Sequence, residues 1–177
     1  PHVAALLIPV LRHHPTHAFD ALRSSIDECI ALGVGGFHIA NGPRDAVTAL
    51  TTELRARSGI PLLISADAER GAGQHFEGCL ALPPLAALCF VNDPDALRRA
   101  ARLTARELRR MGINWALAPV CDLDVAPGSP IVGTRAAGAD PARAGAAIEE
   151  WVDACQAEGV LSCAKHFPGH GQSAQDS

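Results

Sequence analysis

Tyrosine is absent from this chain, and five phenylalanines and two tryptophans supply all its aromatic side chains. With few rings for base stacking, and no basic stripe among 15 basic and 19 acidic residues, nucleic acid is not an expected partner. Long apolar runs are missing too. The longest near the start, residues 3–11, is too short to cross a bilayer and has neither a cationic leader nor a small-residue cleavage site. No membrane partner is expected, and a cytoplasmic setting is. Close cysteine pairs are also lacking: Cys29, Cys79, Cys89, Cys121, Cys155 and Cys163 form no C-x-x-C pair. That argues against zinc or a disulfide framework and for reduced thiols in apolar surroundings. Residues 9–14 do not form the Gly-rich phosphate turn that follows the first strand of an open nucleotide-binding sheet. No cofactor and no metal are expected.

What the chain does have is regular alternation. Its 177 residues suit one domain, and 48% hydrophobic content can supply a core. Residues 4–10 are a short apolar run, expected as a first strand. Leu22, Ile26, Cys29 and Ile30 then recur at helical spacing until Gly33. Residues 35–40 are the expected second strand. Asn41-Gly42-Pro43 is expected to open a helix whose stripe is Val47, Leu50 and Leu54. Residues 60–65 form the most apolar strand, and a Gly-rich excursion follows over 71–84.

Asp93-Pro94 and Asp140-Pro141 repeat one start signal, a carboxylate at the N-cap with proline in the first turn. The first heads a helix with its seam at Leu97, Ala101, Thr104, Leu108 and Met111. The second heads one with Ile148, Trp151 and Cys155 inward. Residues 113–120 and 160–164 are the fourth and fifth strands. The arginines at 98, 99, 102, 106, 109 and 110 are expected on the solvated side of an outer helix, partly neutralised by Glu107.

Alternation of this kind means a parallel sheet with helices outside it. Asp67 and Glu69, Asp122 and Asp124, and Lys165 and His166 each fall just past the carboxyl end of a strand. That is the active face of a (β/α) barrel. The expected class is therefore α/β, of the (β/α)8 TIM-barrel type, with only about five of eight βα units present. Residues 1–177 would form one incomplete barrel domain, its missing units lost or supplied by a partner chain; the oligomeric state is open.

One segment is more specific. Lys165-His166-Phe167-Pro168-Gly169-His170-Gly171, followed by Asp176-Ser177, resembles the signature of glycoside hydrolase family 3, in its β-N-acetylglucosaminidase branch. Ile64-Ser65-Ala66-Asp67-Ala68-Glu69-Arg70-Gly71 resembles that family's acidic motif after strand three. Leu117-Ala118-Pro119-Val120-Cys121-Asp122-Leu123 resembles its fourth-strand motif, and Ser129 to Arg135 with Asp140-Pro141 its arginine loop. Arg70 stands where many members have glycine.

The resemblance implies a glycosidase, a retaining β-N-acetylhexosaminidase that hydrolyses terminal β-linked N-acetylglucosamine through a covalent intermediate. It implies that Asp67 accepts hydrogen bonds from sugar hydroxyls while Arg135, Lys165 and His166 donate to others. His170 is placed with these substrate-binding residues, though shaping its loop is an equal reading. Asp176 would be the catalytic carboxylate of an Asp–His dyad whose histidine, two positions further on, is the general acid/base. That histidine and the nucleophilic aspartate would lie beyond Ser177, so the chain alone is expected not to turn over substrate. A β-glucosidase or phosphorylase of the same family is an alternative, as is a non-catalytic sugar-binding module completed by a second chain.

Individual residues keep simpler readings. Asp67 could cap a turn. Glu69 is expected to pair with Arg70 or a rim arginine, and Asp122 and Asp124 either cap the long loop or touch sugar. His13, His14 and His17 are expected as solvated loop residues. A zinc pair of His166 and His170 fails, because Pro168-Gly169 prevents the helix that would align them. The groups trailing strands three, four and five are expected to converge on one rim.

Overall fold

The structure is a computed structural model that describes residues 3–91, 93–126 and 129–173. Its parallel strands are β1 (Val10–Arg12), β2 (Gly36–Pro43), β3 (Leu63–Ala66), β5 (Trp115–Ala116) and β6 (Leu161–Ser162), side by side in chain order. A two-residue strand, β4 (Phe76–Glu77), pairs with the far end of β2. Between them run helices α1 (Arg23–Leu32), α2 (Arg44–Arg57), α3 (Leu85–Val91), α4 (Pro94–Arg110) and α5 (Pro141–Ala157). Strand order never reverses, so the sheet has no switch point of the doubly wound kind. It is an arc of a barrel wall, as expected from the sequence.

The helices form where period and caps agree. Asp93 accepts from the Asp95 amide at 3.0 Å and Asp140 from the Arg143 amide at 2.8 Å, each followed by proline. Such caps contribute roughly 1 kcal/mol apiece. Gly33 ends α1 in the left-handed region, φ 75°, where a side chain would strain the turn. Every expected seam residue of α4 is buried, as are Val47, Leu50 and Leu54 of α2 and Trp151 and Cys155 of α5. These meet Phe37, Ile39 and Ile64 of the sheet in one core. Each large apolar side chain so buried stabilises the fold by about 1.5–3 kcal/mol.

Some boundaries differ from expectation. The first strand is not 4–10: Ala4–Leu6 is a 3-10 turn, and the strand begins at Val10. Residues 7–9 still border β2, because Leu7 and Pro9 carbonyls accept from the Gly35 and His38 amides. Pro9 has no amide to return. Asn41-Gly42-Pro43 both ends β2 and leads into the expected helix, with Pro43 at the N-cap of α2 rather than inside its first turn. The Gly-rich excursion folds into a 3-10 turn (Ala72–Gln74) and β4, and helix α3, which its short sequence did not announce, follows it. The arginines of α4 are not merely solvated. Arg98 pairs with Glu150, Arg106 with Glu158 and Arg109 with the Glu158 carbonyl, fastening α4 to α5. Glu107 in addition accepts the Leu80 amide.

Asn114 joins three segments. Its side-chain oxygen accepts from the Ile64 amide at 2.8 Å, and its side-chain nitrogen donates to the Leu62 carbonyl at 3.1 Å. Its own amide donates to Ile64, and its carbonyl accepts from Leu161. Among the described residues no helix is long and apolar enough to cross a membrane.

Candidate active site

Several expected site residues lie just past strands of the arc, while Arg135 sits on a 3-10 turn (Gly133–Arg135) in the long loop after β5. Asp67 and Glu69 follow β3, Asp122 follows β5, and Lys165 and His166 follow β6. Lys165 is brought alongside the β5 extension by backbone bonds to Pro119 and Cys121 and a parallel bridge to Val120. The expected convergence is present, and it takes the form of two separate clusters.

The first is an ion-pair chain. The Lys165 ammonium lies 2.5 Å from Asp67 Oδ1 and 2.7 Å from Glu69 Oε1. Arg135 grips both Glu69 oxygens through Nε and Nη2 at 2.9 Å, a two-pronged geometry that only guanidinium offers. The third nitrogen of Arg135 donates to the Ile131 carbonyl. The Glu69 side chain is 8% exposed, and burial alone would raise its pKa. Hydrogen bonds and charge from Arg135 and Lys165 outweigh burial and hold it at about 2. Asp67 is 37% exposed and keeps one oxygen free of Lys165. Of the two readings for Glu69, the rim arginine is the partner, together with Lys165; Arg70 is exposed and turned to the cleft.

The second cluster is closed. The Asp122 side chain is fully buried and accepts from His166 Nδ1 at 2.6 Å and from the His166 and His170 amides at 3.3 and 2.5 Å. Burial would raise its pKa, but these donors, His166 first, bring it below the usual carboxylate value. The His166 and His170 rings meet edge to face, 4.8 Å apart. Gly169 has φ 119°, and a Cβ there would stand 3.1 Å from Asp122 Oδ1. Asp122 therefore caps the loop through backbone and side chain together, while Asp124 is exposed. An ionised Asp122 accepts only, so it fixes the proton of neutral His166 on Nδ1 and leaves Nε2 an acceptor. His166 donates at Nε2 only as imidazolium, a condition the sequence did not reveal.

Asp67, Glu69, Arg135 and Lys165 line a cleft of about 260 Å³ with Arg70, Gln74 and His75. A larger hollow of about 640 Å³ lies among α3, α4, α5 and residues 137–140. It shares none of the charged rim residues. Gln74 and His75 were missed in the sequence because a Gly-rich turn shows no period that would aim them inward. Asp176 lies outside the described residues. His14 and His17 are exposed and stacked on each other, and His13 packs its ring edge against Phe19. Among the described residues no cluster of histidine, cysteine and carboxylate side chains is placed to hold a metal.

Residues 28–177 match the model of the glycosyl hydrolase family 3 N terminal domain, and the chain belongs to that family. It is 41% identical over 145 residues to a beta-N-acetylglucosaminidase/beta-glucosidase of Cellulomonas fimi, covering 82% of this chain and 26% of that protein. A beta-hexosaminidase of Bordetella avium (strain 197N) is 39% identical over 142 residues, covering 76% of this chain and 40% of the relative. Among solved structures, a family 3 beta-N-acetylglucosaminidase from Paenibacillus sp. str. FPU-7 superposes with a TM-score of 0.82 at 31% identity. That match covers 99% of this chain and 34% of the other. The chain thus spans less than half the length of these relatives.

Proposed function

We propose that this chain forms the sugar-holding wall of a retaining β-N-acetylhexosaminidase that takes terminal β-linked N-acetylglucosamine. The observation that carries the reading is Lys165 set between Asp67 and Glu69 at the mouth of an open cleft. A pyranose presents hydroxyls that both donate and accept. Asp67 supplies an exposed acceptor beside the Lys165 donor, and charge-assisted hydrogen bonds are roughly twice as strong as neutral ones. Glu69 and Arg135 hold that pair in place. On this reading Asp176 orients the acid/base histidine, and that histidine and the nucleophilic carboxylate come from outside these 177 residues. The names of the relatives support the substrate. We extend the proposal to a cytoplasmic setting, which six free thiols would suit.

Calorimetric titration of the chain with N-acetylglucosamine tests it. Millimolar or tighter binding, weakened at least tenfold in Asp67→Asn, is the expected result. Binding unchanged in that variant would overturn the reading. The double name of the Cellulomonas fimi relative favours glucose as a second ligand. Equal affinity for glucose and N-acetylglucosamine would transfer the assignment to a β-glucoside.

A further inference from the structure

His38 lies on β2, directly across the ladder from Ser65 on β3, and both side chains face the same side of the sheet as Asp67. Its Nδ1 is 3.1 Å from Ser65 Oγ and its Nε2 is 3.7 Å from Asp67 Oδ2, the oxygen that Lys165 does not hold. The side chain is 15% exposed. Burial lowers its pKa, Asp67 pulls it up, and Lys165, His75 and Arg12 push it down again, for a net value below that of ordinary histidine. The ring is therefore neutral near pH 7 and carries one N–H. Because a carboxylate only accepts, the consistent tautomer has Ser65 O–H donating to Nδ1 and Nε2–H facing Asp67.

The separation is informative. At 3.7 Å, Nε2 and Oδ2 are too far apart for a hydrogen bond with each other. An oxygen placed about 2.8 Å from each would complete a triangle, accepting from Nε2–H and donating to Oδ2. Water or a hydroxyl has that donor and acceptor pairing. A chloride, a carboxylate or an ammonium does not.

We propose that His38 is a specificity-determining residue of the sugar site, donating through Nε2–H to the same sugar hydroxyl that donates to Asp67 Oδ2. The inference rests on the sugar-binding reading above and adds to it which atom selects one hydroxyl. Asp67 by itself accepts from any donor in reach, ammonium included. Paired with a fixed N–H it admits only a group that also accepts, and at a set angle.

The test crosses protein variants with trimmed sugars. Asparagine at 38 keeps an acceptor, its Oδ1, near the Nδ1 position and removes the group facing Asp67; glutamine carries an amide N–H out toward the Nε2 position. His38→Asn is expected to weaken N-acetylglucosamine about fivefold to tenfold, the range of one neutral hydrogen bond. His38→Gln is expected to stay within about twofold of the parent by the same reasoning. For one monodeoxy analogue among the 3-, 4- and 6-deoxy sugars, the His38→Asn penalty should vanish, and that analogue should be the one indifferent to Asp67→Asn. A loss spread evenly over all analogues, or none at all, overturns the proposal. If the parent chain binds no N-acetylglucosamine, the sugar reading and this inference fall together. Intact binding with an indifferent His38→Asn removes this inference alone. Should His38→Asn not fold, the His38 ring Hε1 resonance of the parent chain decides: it must shift with N-acetylglucosamine and stay still with the indifferent analogue.

Discussion

Two carboxylates on the same rim, Asp67 and Asp122, have opposite surroundings. Asp67 is 37% exposed and leaves one oxygen open toward the cleft, whereas the Asp122 side chain is fully buried and receives three donors. Both are paired with a basic residue from the stretch after β6, Lys165 in one case and its neighbour His166 in the other. Consecutive residues of one loop thus anchor in two environments. What separates a ligand-facing carboxylate from a scaffolding one is how many backbone amides claim it. Asp122 satisfies two amides of its partner loop, while Asp67 is held by a side chain alone.

Substitution of Asp122 should have the largest effect. Asp122→Ala leaves two amides and an imidazole without their acceptor, and breaking a buried pair of this kind costs about 3–5 kcal/mol. For a chain of this size the melting temperature should fall by roughly 10 °C, read by calorimetry. A fall no larger than that of Asp67→Ala would break the comparison.

Glu69 comes next. Its pKa is depressed from 4.5 to about 2, so its contribution to stability is full above about pH 4.5 and is lost as pH falls through 2. Acid titration of the melting temperature should show that loss between these limits in the parent chain. In Glu69→Gln the same window should be visibly flatter, at a cost near pH 7 of about 2–3 kcal/mol.

Asp67→Asn should separate the two roles most cleanly. Its stability should stay within about 1 kcal/mol of the parent, since a partly exposed pair contributes little. Sugar affinity should nevertheless drop at least tenfold. The smallest change is expected for Arg106→Ala: the Arg106–Glu158 pair is half exposed on its arginine side, so its loss should lower the melting temperature least of these substitutions. Sugar binding should be unaffected.

The wall of the barrel was legible because its helices advertise themselves twice, by seam and by cap. Leu97, Ala101, Leu108 and Met111 are all buried beneath a helix that starts at the expected Asp93-Pro94. Strand limits were less legible. Residues 4–10 and 60–65 are as apolar as strands, yet Ile60 and Leu63 are well exposed and the first strand starts at Val10. An apolar run states that burial is available, but not where neighbouring amides will pair. The convergence of Asp67, Glu69 and Lys165 followed from their places after the strands, whereas Arg135 was expected there only from the family resemblance. Which carboxylate each base would choose did not follow, because the choice depends on loop paths between residues 66 and 98 positions apart. Asp122 was expected to cap its own long loop or to touch sugar; it instead holds the loop after β6, which only the approach of residues 166–170 reveals.

Asn114 has a consequence for how accurately that rim is assembled. With one side chain it ties to residues 62 and 64, and through its backbone to 64 and 161, so it serves as a common datum for three stretches that sequence alone holds far apart. Sliding β5 by a single residue would forfeit all four bonds at once and turn its neighbours to the opposite face. The tips of β3 and β6 are thereby levelled against each other, which is why an ammonium from one can meet a carboxylate from the other at 2.5 Å.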